Sequence, residues 1–206
     1  SGQDEVASLE RAGGKLSGDL DGDREADVVY IVSDPGAEPG CRSILVVETH
    51  RGVMLSHPLD TGDVEPIGGL PAVSSLAAID ERPGAEIVVD VLAGASTTFA
   101  AVYSAGGDRL ERMSLPEGSP YGDLFPYGGS VGHMESSACG DDGTVVVGSV
   151  VPQGARYLVT ETIYRPRDGK FAAEEVVTET IDNLEGLEGR FGSFAEGVFG
   201  NCPAAG

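Results

Sequence analysis

Short apolar runs recur along the chain, each closed off by glycine, aspartate or proline. Asp27-Val-Val-Tyr-Ile-Val returns as Glu86-Ile-Val-Val-Asp-Val and again as Thr144-Val-Val-Val-Gly-Ser, a period of roughly 58 residues. A small-residue strand precedes each copy: Lys15-Leu-Ser-Gly, Leu76-Ala-Ala-Ile and Glu135-Ser-Ser-Ala. A longer strand follows each: Ser43–Glu48, Thr98–Tyr103 and Arg156–Tyr164. Next come a glycine turn and a closing strand at Val53–His57, Leu110–Ser114 and Phe171–Val177. β-branched and aromatic residues between Gly/Asp turns predict strands, and helical periodicity is missing outside a short acidic stretch, Asp4–Arg11.

This pattern predicts an all-β chain of three four-stranded antiparallel units, over about residues 13–62, 72–117 and 133–182. Residues 1–12 form a short helical cap, and 183–206 form a tail strapped to the body. One sheet cannot bury both of its faces, so the units must stack, and radial stacking predicts a β-propeller-like arrangement. Propellers usually have about four to eight blades. Either the termini add a degenerate fourth blade, or three units close differently, or the chain pairs with another copy.

The loop that leads into the Asp27–Val32 strand of the first unit carries the main candidate chemistry. In Asp19-Leu-Asp21-Gly-Asp23-Arg-Glu25-Ala-Asp27, carboxylates alternate through a tight loop that runs straight into an apolar strand. Calcium takes about six to eight oxygen ligands, and such a loop can converge Asp19, Asp21, Asp23 and Asp27 on one point, with the backbone carbonyl of Glu25 as a fifth protein ligand. The alternative is a solvated acidic turn, although clustered carboxylates repel one another by about 1 kcal/mol even in water.

These units resemble the FG-GAP/VCBS repeats of integrin-α-like propellers and secreted bacterial proteins, over about residues 13–180. The resemblance is carried by Gly18-Asp19-Leu-Asp21-Gly-Asp23-Arg-Glu-Ala-Asp27-Val-Val and, in degraded form, by Asp80-Glu-Arg-Pro-Gly-Ala-Glu86-Ile-Val-Val. It implies calcium on Asp19, Asp21, Asp23 and Asp27. Arg24 stands where the family commonly has glycine. The second unit offers Ala78, Asp80, Arg82, Gly84 and Glu86, and the third Ala138, Gly140, Asp142 and Thr144, so one calcium is expected rather than three.

Composition narrows the function classes. Against 34 acidic residues, 13 Lys+Arg cannot readily build the basic face that nucleic-acid or anionic-membrane binding needs, and the net charge is −21. No apolar run reaches the roughly 18 residues of a membrane span. Of the three cysteines, Cys139 and Cys202 are expected to bridge and so tie down the tail, leaving Cys41 over; free thiols in a cytosolic protein are the alternative. No leader segment is visible, and a secreted or surface-anchored location is the expectation.

Other motifs are weaker. Gly128-Gly-Ser130-Val-Gly132 matches G-x-S-x-G beside His133, but the strand–serine–helix context of a nucleophile elbow is absent. His50 and His57 flank a hairpin turn and read as cross-strand polar partners. Tyr121, Phe125 and Tyr127 lie in the most aromatic stretch, between units two and three, and are expected in an exposed partner-binding loop. The expected function is a non-catalytic, calcium-stabilised binding or adhesion module for a protein or glycan. A secreted hydrolase or lyase acting on an extracellular polymer is the alternative class, and a small-molecule-binding lipoprotein a third.

Overall fold

The computed structural model describes residue 6 and residues 9–38, 40–60, 69–130, 132–167, 169–194 and 197–203. It is all-β and antiparallel. The first sheet runs in chain order through β1 (Glu10–Gly18), β2 (Asp27–Ser33), β3 (Ser43–Glu48) and β4 (Met54–Leu59). The second meander comprises β5 (Ala72–Ala77), β6 (Glu86–Ala93), β7 (Thr97–Gly106) and β8 (Arg109–Arg112). The third comprises β10 (His133–Cys139), β11 (Val145–Gln153), β12 (Arg156–Arg167) and β13 (Lys170–Ile181). Neither sheet closes on itself among the described residues.

β9 (Phe125–Ser130) joins the second and third meanders into one nine-stranded sheet. It pairs through Phe125–Gly128 with Thr97–Ala100 of β7, whose other half, Tyr103–Gly106, holds β8. On its far side β9 pairs with the start of β10, Gly129 opposite Met134. Proline and two glycines argue against a strand here. The glycine is required, however, because a Cβ on Gly129 would lie 2.5 Å from the His133 carbonyl.

Alternation along the strands sends successive side chains into different cores. Val29, Ile31, Leu45 and Val47 of the first sheet meet Ile87, Val89, Ala101 and Tyr103 of the second meander. The reverse faces of the same strands, Tyr30, Val32, Ile44 and Val46, are covered by Val6 and Leu9. Val88, Ala100 and Val102 face Val145, Val147, Tyr164 and Phe171 of the third meander. Val150, Val159 and Ile181 then pack under Leu187 of the single-turn helix α1 (Leu187–Arg190), with Phe191 and Phe194. Burial on both faces is why the central strands read as unbroken apolar runs rather than as alternating ones.

Of the helix expected over Asp4–Arg11, Val6 is helical, whereas Glu10 and Arg11 already begin β1. The other positions of that stretch, apart from Val6 and Leu9, lie outside the described residues. The expected bridge between Cys139 and Cys202 is present, with Cα atoms 5.1 Å apart, and Cys41 is free and exposed. Around the bridge, the Phe199 amide donates to the Ser137 carbonyl at 2.8 Å. The Asn201 side chain makes a pair of bonds with the Cys139 backbone at 2.9 and 2.6 Å.

Candidate metal centre

The loop between β1 and β2 is built by its own carboxylates. Asp19 accepts from the Gly22 amide (2.7 Å) through Oδ1 and from the Arg24 amide (2.9 Å) through Oδ2. Asp21 and Asp23 each accept from the amide two residues on, at 3.2 and 2.9 Å, the local turns that short acidic side chains favour. Arg24 makes the sharp turn with φ +71°, a conformation that costs about 1–2 kcal/mol for an L-residue. Asp27 is fully buried at the start of β2. Its Oδ2 accepts from the Leu20 amide (2.9 Å) and its Oδ1 from the His50 amide (3.0 Å), so one carboxylate ties the loop to the β3–β4 turn.

One carboxylate oxygen from each of Asp19, Asp21 and Asp27 lies within 4.8 Å of the others. Two oxygens sharing a calcium ion at about 2.4 Å can be at most about 4.8 Å apart, so the spacing fits that ion. Burial and then the Asp27 charge push the Asp21 carboxyl above its ordinary value, the mark of a carboxylate short of positive charge. Asp23 points elsewhere: its Oδ2 lies 3.0 Å from both His50 Nδ1 and Arg51, ion-pair contacts at the β3–β4 turn. Glu25 is exposed, and its amide donates to Asp23. The sequence grouped Asp23 with the converging carboxylates because spacing alone cannot show that a basic turn comes within reach of it.

The equivalent loop of the second unit holds a covalent cation. Arg82, in the position of Asp23, binds Asp80 Oδ2 through Nε (2.6 Å) and reaches Ser104 Oγ (3.1 Å). Glu86 replaces Asp27 and accepts from the Ile79 and Asp80 amides at 2.7 and 3.3 Å. In the third unit the turn shortens, and Thr144 donates to the Asp141 carbonyl at 2.8 Å. Among the described residues, three acidic groups converge only in the first loop. The first two loops also interlock. The Ala85 amide donates to the Asp19 carbonyl at 2.8 Å, and a Cβ on Gly22 would lie 2.8 Å from the Pro83 carbonyl.

Burial, and next the Asp80 charge, push the Glu86 carboxyl up from 4.5 to about 7, against hydrogen bonds and Arg82 that pull the other way. Over that interval the folded chain keeps a proton that the unfolded chain has lost. Stability therefore falls as pH rises through the interval and levels off above it. Glu86→Gln keeps an acceptor for the two amides and removes the titration. Between pH 4.5 and 7 the unfolding free energy of the parent should fall relative to that of Glu86→Gln by an amount on the order of 1–3 kcal/mol, read as a lower melting temperature of the parent at the higher pH. Parallel curves would contradict this origin.

The aromatic stretch is not an exposed loop. Phe125 is 0% exposed in β9, edge-to-face with Phe171 and Phe199 at 5.0 and 5.2 Å. Tyr127 is half-buried and donates to Asp90 Oδ2 at 2.9 Å, and Tyr121 packs against Phe99. At the end of the β9–β10 hairpin, Ser130 Oγ lies 3.0 Å from His133 Nδ1, while His133 Nε2 lies 3.3 Å from Ser96 Oγ and 3.6 Å from Glu135 Oε2. His57 contacts the Pro58 carbonyl and the Tyr103 ring.

No protein-family model matches the chain, and no curated protein does. Among solved structures, the crystal structure of exotype rhamnogalacturonan lyase YesX aligns with 91% of this chain at 12% identity and a TM-score of 0.34. The chain spans 35% of that structure's length. At that similarity neither fold nor activity carries across.

Proposed function

We propose that this chain is a calcium-stabilised, non-catalytic binding module of secreted or surface-anchored type, built from FG-GAP/VCBS-like repeats in a propeller-like stack. The observation that carries the reading is the convergence of Asp19, Asp21 and Asp27 in a loop that interlocks with its neighbour. Those carboxylates, with the Glu25 carbonyl as expected from the repeat pattern, would hold the ion, which neutralises their mutual repulsion. Asp23 serves instead as the tie to His50 and Arg51. Because the Ala85 amide bonds to the Asp19 backbone, a stiffened first loop also restrains the loop between β5 and β6. The disulfide fits an oxidising compartment. The acidity argues for a protein or glycan partner over a nucleic acid.

Thermal melts of the chelated protein with and without calcium test this. With the ion at ~100 times its Kd, linkage predicts ~2.7 kcal/mol of stabilisation, a rise of roughly 5–10 °C for a domain of this size. Asp21→Ala should abolish the shift. It removes no bond to Leu20 or His50, so the fold should survive. An unchanged melt on adding calcium would leave the loop an acidic turn.

A second reading, a hydrolase, is favoured by one contact. If Nε2 carries the imidazole proton, facing Glu135 and Ser96, then Nδ1 can accept from the Ser130 hydroxyl at 3.0 Å. A fluorophosphonate that labels the parent but not Ser130→Ala would support it. Equal labelling, or none, would dismiss it.

A further inference from the structure

We infer that the cleft between the second and third units is an oxyanion site for a small acidic ligand, with a sugar acid as the occupant its chemistry fits. This rests on the binding-module reading and sharpens its ligand class. The loop between β5 and β6, the Asp141–Gly143 turn and the end of β12 enclose a cavity of about 380 Å³. Arg82, Arg165 and Arg167 line it, along with Asp80, Glu81 and Gly143. In a chain where 34 acidic residues outnumber 13 Lys+Arg, three arginines on one cavity stand out.

Two of the guanidinium groups are held in place. Arg165 donates through Nε to Glu174 (2.7 Å) and through a terminal nitrogen to the Asp142 carbonyl (2.8 Å). Arg82 is fixed by Asp80 and Ser104. Each of the two therefore keeps one terminal nitrogen without a protein acceptor among the described residues. Arg167 is freer: its side chain is 68% exposed, and its ion-pair contact, to Glu174, is 3.8 Å long, beyond hydrogen-bond reach. A guanidinium carries five N–H donors in a planar fork that suits a carboxylate or phosphate. Pre-fixed donors lose little freedom on binding, which favours affinity for a small ligand.

Charge sets the size of the ligand. Against the three arginines stand Asp80, Glu81, Glu174 and Asp142, whose charge also acts on Arg165, so the cleft carries about one net negative charge within a chain of net charge −21. Fields from exposed charges decay over about 8 Å at physiological ionic strength. A single carboxylate at the cleft escapes most of the repulsion, whereas a long polyanion running over the surrounding surface would meet all of it. The polar lining and the volume suit a monosaccharide acid rather than an apolar compound.

Calorimetric titration with sodium glucuronate, glucose and sodium sulfate tests the inference, on the parent and on Arg167→Ala. The exposed Arg167 makes its variant safe for folding, and Arg165→Gln serves as a second probe. The expected result is glucuronate binding, competition by sulfate, no binding of glucose, and about a tenfold loss of affinity in Arg167→Ala, the size of one charge-assisted contact. Absence of glucuronate binding, equal binding of glucose, or unchanged affinity in both arginine variants would overturn it. The calcium-dependent melt of the same sample separates the two proposals. A retained calcium shift without glucuronate binding sinks the cleft assignment alone, and a lost shift with binding intact sinks only the metal centre.

Discussion

Phe125→Ala is expected to destabilise the chain by about 3–5 kcal/mol, measured as the shift of a urea unfolding transition followed by circular dichroism. The ring is 0% exposed and touches the rings of Phe171, from β13, and Phe199, from the tail. Removing it empties a space bounded by three separate parts of the chain, which cannot collapse together to fill it. Tyr127→Phe, two residues along β9, removes one hydrogen bond to Asp90 and should cost only about 1 kcal/mol. A Phe125→Ala chain as stable as its parent would mean that the β9 core is wrongly assigned, and that the aromatic stretch is free to serve a partner.

Opening the Cys139–Cys202 bridge should cost about 4 kcal/mol, because the cross-link closes a loop with a sequence separation of 63 residues. The comparison is best made in a Cys41→Ser background, since that exposed thiol could otherwise exchange with the bridge. Cys139→Ala/Cys202→Ala should shift the urea midpoint downward. It should also make the chain beyond Phe194 the first site of protease cleavage, as the tail is otherwise held by Val198, Phe199 and the Asn201–Cys139 bonds. An unchanged midpoint would show that these contacts alone anchor the tail.

Much of the strand content was legible because it rests on local rules. The runs at Val28–Val32, Ile87–Val91 and Val145–Val147 are too apolar for solvent and too closely bounded by turns for helices. Their near-equal spacing is the basis of the expected repeat. The first loop was legible for the same reason, since alternate carboxylates in a nine-residue turn are a local pattern. The bridge could be anticipated because a tail with little core-forming power needs a covalent tie.

Other features depend on residues far apart in the chain. β9 escaped notice because Pro126, Gly128 and Gly129 have poor strand propensity. The half-free edge of β7 and the close approach of His133 and Met134 make it a strand. Asp23 stands apart from the three converging carboxylates because the β3–β4 turn brings His50 and Arg51 to it. By itself, the sequence determined the class of fold, the acidic loop and the covalent staple, all of which follow from hydrophobic period and short-range chemistry. Tertiary structure alone decided which three carboxylates converge, that Arg82 fills the second loop with a cation of its own, that Phe125 is core, and that three arginines share one cleft. Each of these depends on which side chains the stacked sheets bring within a few ångströms, and periodicity along one strand carries no information about the face opposite.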